Sequence, residues 1–400
     1  LRSPLFHFGA LSCAYFATIG LFNPFSSLWL QSLGFGTLAI GAIASLQAWT
    51  RVIVPYGWSW LGDHHGQRER WLRWACGGAV LCAAVLAGVR EPLAITVTVV
   101  LLFAFNGGVV PLSEAAVSRH LIASGSFDAG RYGRMRLWGS MGFVTAVLLG
   151  GAALQSLGLQ AFPWAVLLLC GLMAWAAWRL PMSPAAVASQ EPAPPVLPRL
   201  REPAVAWFFA SVALTVLAHS SLYAFFSLFL EEGGYRAVHV GLFWALSVGF
   251  EIAFFAYQGR WFGRLSDWQW LQIASATAAL RFGLMAAAGA WLPALLLGQA
   301  SHALSFAAHH AACTQWLSRQ FPDRLRGRGQ ALYATLGYGL PGVAGGVGGG
   351  WLIGHAGFRG LFAAAALAAA AGLVCAIKGR QAEARSAGLS TPADPGEPGR

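Results

Sequence analysis

Eight ionisable side chains sit inside long apolar stretches of this 400-residue chain: Arg51, Glu114, His219, Glu251, Arg281, His302, His309 and His310. A charge held at bilayer depth costs about 3 kcal/mol or more on insertion scales, so such groups face a cavity or one another. A carboxylate in that position can carry a proton, because burial favours its neutral form and a nearby arginine its charged form. Glu251 and Glu114 are therefore the candidate proton carriers, with His302, His310 and Arg281 as partners. Histidines in a wet cavity can also bind a solute. On helical geometry His302 and His309, seven residues apart, share one face, and His310 lies about 100° round from His309. The bland alternative for each is a satisfied group packed against neighbouring helices, and Arg51 and Glu114 lie nearest a boundary. No Cys or carboxylate stands at metal spacing near these histidines, so neither a metal nor a cofactor is expected.

The elements that must hold these groups are membrane helices. Hydrophobic residues make up 57% of the chain and charged residues 10%, with a mean hydropathy of +0.58; a soluble domain carries about 25% charged residues. Runs of about 20 apolar residues fall at 7–30, 38–61, 72–89, 93–117, 135–158 and 161–179. Six more fall at 204–230, 237–259, 269–289, 291–316, 329–354 and 358–378. Between the two sets lies 181–203, with seven prolines, read as an extended linker. The expected organisation is a six-helix domain over 1–180, the linker, a second six-helix domain over 204–378 and a disordered tail over 379–400. The first apolar run is long and followed by eleven others, unlike a cleaved leader.

Charge placement tests the count. One set of connections and the termini hold Arg2, Arg68, Arg70, Arg73, Arg119, Arg131, Arg134, Arg136, Arg179, Arg199, Arg201, Arg260 and Arg264, with Arg319, Arg324, Arg326, Arg328, Lys378, Arg380, Arg385 and Arg400. The opposite connections hold Arg90, Arg236 and Arg359. The positive-inside rule then places both termini in the cytoplasm of a multi-pass protein of a bacterial inner membrane. Topology explains the formal charge of +11, and no nucleic-acid partner is needed. The six cysteines stand singly in apolar stretches and read as small buried side chains. No phosphate-binding Walker sequence is present.

Several spans are built to bend or to pack closely. Span 1 contains Asn23-Pro24, span 4 contains Asn106-Gly107-Gly108 and Pro111, and in span 11 Gly342, Gly346 and Gly350 form one small-residue ridge. Asn23, His219, Tyr223, Trp138, His309 and Arg51 are the candidates for touching a solute between the halves.

The loop after span 2 reads Ser59-Trp60-Leu61-Gly62-Asp63-His64-His65-Gly66-Gln67-Arg68. It resembles the cytoplasmic signature of the major facilitator superfamily through Asp63, Gly66 and Arg68, while Ser59, His64 and Gln67 depart from it. The resemblance implies that this loop helps hold the inner gate. Over nearly the whole chain the sequence is similar to the phenylpropionate permease group, allied to lactose permease and the nucleoside–proton symporters. The matches are Arg51, Glu114, Glu251, His219, Tyr223, Arg281, His302 and His310, with Tyr132-Gly133-Arg134-Met135-Arg136-Leu137-Trp138 at the head of span 5. The likeness to lactose permease implies an Arg136–Glu114 pair at the substrate. It departs at Ser305, where that permease has its proton-carrying glutamate. What the resemblance implies is an all-α fold of twelve transmembrane helices in two pseudo-symmetric halves, acting as a monomer.

The function expected is secondary transport of a small organic solute, an aromatic carboxylate such as phenylpropionate, by proton symport with alternating access. The alternatives are a proton-coupled nucleoside or sugar permease and an efflux carrier. A non-transporting scaffold or receptor is a different class, and it has no reason to keep four charged residues at depth. An enzyme is not expected.

Overall fold

The computed structural model describes residues 4–123, 129–182, 196–322 and 325–389. Among them every regular element is helical. Spans 1 to 3 are Pro4–Ser32, Thr37–His65 and Arg68–Gly88. Span 4 is Pro92–Asn106 followed by Val109–Ala123, and spans 5 and 6 are Ala129–Leu157 and Phe162–Trp178. Spans 7 to 9 are Pro203–Glu232, Ala237–Tyr257 and Asp267–Ala288. Among the described residues ten helical runs are long and apolar enough to cross a bilayer; one of them, Arg326–Ser386, turns at Gly357 (φ 62°) and is long enough for two crossings. Span 10, divided by a π-helical segment at Ala303–Ala308, completes the twelve.

Local sequence explains the breaks. In span 4, Pro111 has no N–H to give the Gly107 carbonyl four residues back, and the helix opens at Gly107–Gly108. The Trp58 indole of span 2 donates to the Ala104 carbonyl at 2.9 Å and covers Gly108, where a Cβ would lie 2.6 Å from its ring. Span 2 ends on Gly66 in the left-handed conformation (φ 66°), a position that favours glycine. Span 9 begins with a capping box, Ser266 with Gln269.

The core of the first half includes Trp29 stacked over Phe162 at 5.2 Å. That of the second includes Phe208 on Trp316 at 3.9 Å. Large apolar residues such as Leu81, Leu168, Leu280 and Leu367 are exposed, as lipid-facing residues of a bundle must be.

The halves meet along spans 2 and 11 and along spans 5 and 8, toward the end with the short connections. Gly346 of span 11 packs on Gly41 and Ser45 of span 2, Gly342 on Ala48, and Gly350 on Thr37 and Leu38. Ser45 Oγ donates to the Val343 carbonyl at 2.7 Å and accepts from the Val347 N–H at 2.9 Å. Thr37 Oγ1 donates to the Gly350 carbonyl at 3.0 Å. Across the other contact a Cβ on Gly241 would lie 2.5 Å from the Val147 carbonyl oxygen. The expected glycine ridge is therefore a helix–helix contact between the halves. Nearer the termini, Arg51, Tyr56, Trp60, Trp138 and Tyr257 are exposed.

Two expectations need correcting. The last helix runs on to Leu389, so residues 379–389 are helix rather than a disordered tail. Glu383 anchors them by accepting from the Trp268 indole and from the Gln320 amide. Beside it Arg319 pairs with the buried Asp267. The linker residues 183–195 and the end of the tail, 390–400, lie outside the described residues, while 197–200 form one helical turn.

Candidate functional site

In the second half, spans 7, 8, 9 and 10 converge on the guanidinium of Arg281, which is only 2% exposed. Its Nη1 donates to His302 Nδ1 at 2.9 Å and to Ser305 Oγ at 3.5 Å. Its Nη2 donates to Gln299 Oε1 at 2.8 Å. Ser247 of span 8 donates to the same Gln299 oxygen at 2.6 Å. A guanidinium only donates, so His302 Nδ1 accepts and its proton sits on Nε2. That Nε2 faces Glu251 Oε2 at 3.8 Å. Glu251 is 26% exposed and His302 5%, so the carboxylate is the wetter end of an Arg281–His302–Glu251 line. A proton added to His302 Nδ1 would turn a donor against Arg281, which ties the charge of the imidazole to the arginine's position.

His219 belongs to the same network. Its Nδ1 donates to the Thr215 carbonyl at 2.8 Å, which leaves Nε2 to accept from Ser305 Oγ at 3.3 Å. Thr215 Oγ1 in turn contacts Ser275 Oγ at 2.9 Å. Ser305, which stands where lactose permease would have glutamate, thus accepts from Arg281 and donates to His219. Tyr223, one turn along span 7, lies edge-on to Phe306 at 6.0 Å. Its ring also lies 6.1 Å from that of Trp244 of span 8.

The π-helical segment changes the predicted histidine faces. Its wider turn advances each residue by less than an α-helix does. His302 consequently stacks on Phe306 at 5.0 Å, and Phe306 stacks on His310 at 6.4 Å. His302 and His310 share a line; His302 and His309 do not. His309 turns into the bundle, buried against Cys313 Sγ at 3.7 Å. A second π-helical segment, Tyr333–Gly339 in span 11, brings Tyr333 and Tyr338 to His310.

The first half contributes less. Arg51 and Glu114 are exposed, and both are in electrostatic range of Tyr15. Asn23 Oδ1 accepts from Gln47 Nε2 at 3.1 Å. Trp138 is 39% exposed and packs edge-on to Phe6. Arg68, in the signature loop, is half-buried and packs its chain beside Gly62. The side chains of Asp63 and Arg136 lie outside the described residues, and with them the expected Arg136–Glu114 pair. Among the described residues no three His, Cys, Asp or Glu side chains group as metal ligands do.

Sequence reasoning did not single out Gln299, Ser247 or Thr215. A signal was present: Gln299, His302 and Ser305 recur every third residue in an apolar span.

The family profile described as "MFS_1 like family" matches residues 10–364. The chain belongs to this family. It is a secondary transporter of the major facilitator type that moves a small solute by alternating access. Two curated relatives are similar over most of their length. The Escherichia coli (strain K12) protein "Probable 3-phenylpropionic acid transporter" is 27% identical over 336 residues, 81% of this chain and 85% of that one. The "Maltose permease" of Geobacillus stearothermophilus is 29% identical over 348 residues, 84% and 83%. Among solved structures, one of the nucleoside transporter NupG superposes with a TM-score of 0.83 at 16% identity, covering 95% of this chain and all of that one. The POT family transporter PepTSo superposes at 0.77 and 11% identity, covering 98% and 99%. These likenesses share a fold and span several solutes.

Proposed function

We propose that this transporter takes up a small polar ring compound, a sugar or nucleoside, together with protons. The observation that carries the coupling is the Arg281–His302–Glu251 line. A buried cation, a neutral imidazole oriented by it and a partly wet carboxylate make a site whose proton occupancy depends on how the helices sit. Glu251 is the proton carrier in this reading, and His302 and Arg281 set its two states. An entering proton gains about 2.3 kcal/mol per 100 mV of inward-negative potential, which favours uptake. With the termini in the cytoplasm of a bacterial inner membrane, the halves touch at the outer end. The protein is then inward-facing, with Arg51 and Trp138 on the open side.

Arg281 bears on the substrate as well. Both its terminal nitrogens already donate within the protein, and it is only 2% exposed, so a substrate carboxylate is not its evident partner. A neutral solute avoids the need for one. An aromatic acid is the second reading, and the exposed Arg51 favours it.

Purified protein in liposomes under an imposed inward proton gradient tests this directly. Radiolabelled maltose, uridine and 3-phenylpropionate form the panel. Accumulation of maltose or uridine that collapses with a protonophore is the expected result. Accumulation of phenylpropionate alone selects the second reading, and equilibration independent of the gradient rejects proton symport.

A further inference from the structure

The hydroxyls of Tyr333 and Tyr338 lie 3.3 Å apart, and they lie 3.3 and 3.5 Å respectively from His310 Nδ1. In an α-helix two residues five apart point about 140° away from each other. The π-helical segment Tyr333–Gly339 removes that divergence, since its turn closes on the fifth residue. The facing segment Ala303–Ala308 brings His310 into line with Phe306 and His302. Two irregular helix segments on adjacent spans thus assemble one small polar triangle. Neither the Arg281 network nor the contact between the halves uses it.

All three edges are longer than the 2.7–2.8 Å typical of a hydroxyl hydrogen bond. The triangle holds two O–H protons and one imidazole acceptor. If Tyr333 donates to Tyr338, then Tyr338 donates to His310 Nδ1, and each phenol oxygen keeps a lone pair for a further donor. The groups are slack and can trade these bonds for bonds to a guest. Tyr338 is half-buried, and its neighbour Gly339 packs on Val52 of span 2, which puts the triangle beside the boundary between the halves.

We propose that Tyr333, Tyr338 and His310 form a subsite for two adjacent hydroxyl groups on a ring, those of a sugar or of a nucleoside's ribose. Two phenol oxygens at this separation match the spacing of a vicinal diol, and each can both donate to it and accept from it. The subsite offers no cation to a carboxylate. The inference rests on the solute site proposed between the halves and gives it a substrate class.

Equilibrium binding without any gradient tests it, using the purified full chain with radiolabelled maltose and uridine as probes. Their analogues lacking one hydroxyl of the pair serve as comparisons, and maltose and uridine distinguish a sugar from a nucleoside. At least one probe should bind the parent protein, with its deoxy analogue weaker. Tyr338→Phe should weaken the probe about fivefold and leave the deoxy analogue unchanged. Tyr333→Phe should do the same, with the melting temperature confirming that this more buried variant is folded. The proposal is overturned if neither probe binds, if the deoxy analogue binds as well as the probe, or if Tyr338→Phe leaves probe affinity intact. Gradient-driven phenylpropionate uptake with no binding of either probe would sink the subsite and spare symport. Tyrosine-dependent probe binding without accumulation would do the reverse.

Discussion

Placing a leucine at Gly346 should open the protein at the end where its halves now touch. A Cβ there would lie 2.5 Å from the Gly41 carbonyl oxygen and 3.0 Å from the Ser45 nitrogen. Both are backbone atoms and cannot swing aside, so spans 2 and 11 must separate. Separation removes the bonds from Ser45 to Val343, from Val347 to Ser45 and from Thr37 to Gly350. Interhelical hydrogen bonds in membranes average about 0.6 kcal/mol, and three of them come to about 2 kcal/mol. That alone shifts the balance between closed and open about thirtyfold, before any packing loss. The penalty falls only on the state in which these helices touch. Spin labels at Leu38→Cys and Trp351→Cys, both exposed, report this end in a Cys13→Ser background, the other cysteines being buried. A pair at Trp60→Cys and Tyr257→Cys reports the other end. The expected result is a longer distance at the first pair and a shorter one at the second. Gly348→Leu is the control, since a Cβ there meets nothing within 4 Å. Distance distributions in folded Gly346→Leu that overlay the parent's would refute the reasoning.

Two further outcomes are expected. Glu251→Gln keeps the side chain's size but cannot ionise, so gradient-driven accumulation should fall to the equilibrium level while exchange of solute across the liposome continues; parent-like accumulation would return Glu251 to a structural role. Arg319→Ala should lower the melting temperature of detergent-solubilised protein by leaving Asp267 unpaired. A buried pair broken on one side costs about 3–5 kcal/mol. Arg319 is 52% exposed, which reduces the expectation to about 1–2 kcal/mol, and an unchanged melting curve would dismiss the pair.

Much of this architecture is written in features that survive reading one residue at a time. Span length needs only the thickness of the bilayer, and the small-residue ridge of Gly342, Gly346 and Gly350 needs only the helical repeat. Arg281, His302 and Glu251 were visible because a charge in an apolar run is conspicuous. The residues that complete their network are neutral. Gln299, Ser247 and Ser305 cost little in a membrane helix, and only the fold shows that they converge on a guanidinium. The π-helical segments were illegible for a different reason. Ala303–Ala308 and Tyr333–Gly339 carry ordinary apolar sequence, and the assumption of a regular helix put His309 where His310 stands. The helical end of span 12 is hidden in the sequence because Gly, Glu and Arg after residue 378 look like a solvated tail. The bonds of Glu383 to Trp268 and Gln320 depend on neighbours far away in the chain.

The contact between spans 2 and 11 is made of small and apolar residues, a serine, a threonine and main-chain groups. Nothing in that zipper bears a formal charge. A membrane voltage does work only on charge that moves through it, and salt screens only charge. The zipper itself therefore offers voltage and salt no charge to act on, although span 2 carries Arg51 with it as the helices part. Voltage dependence of the transport cycle then enters through the proton, the charged groups around Glu251 and Arg51, while the zipper's own contacts set a mechanical threshold.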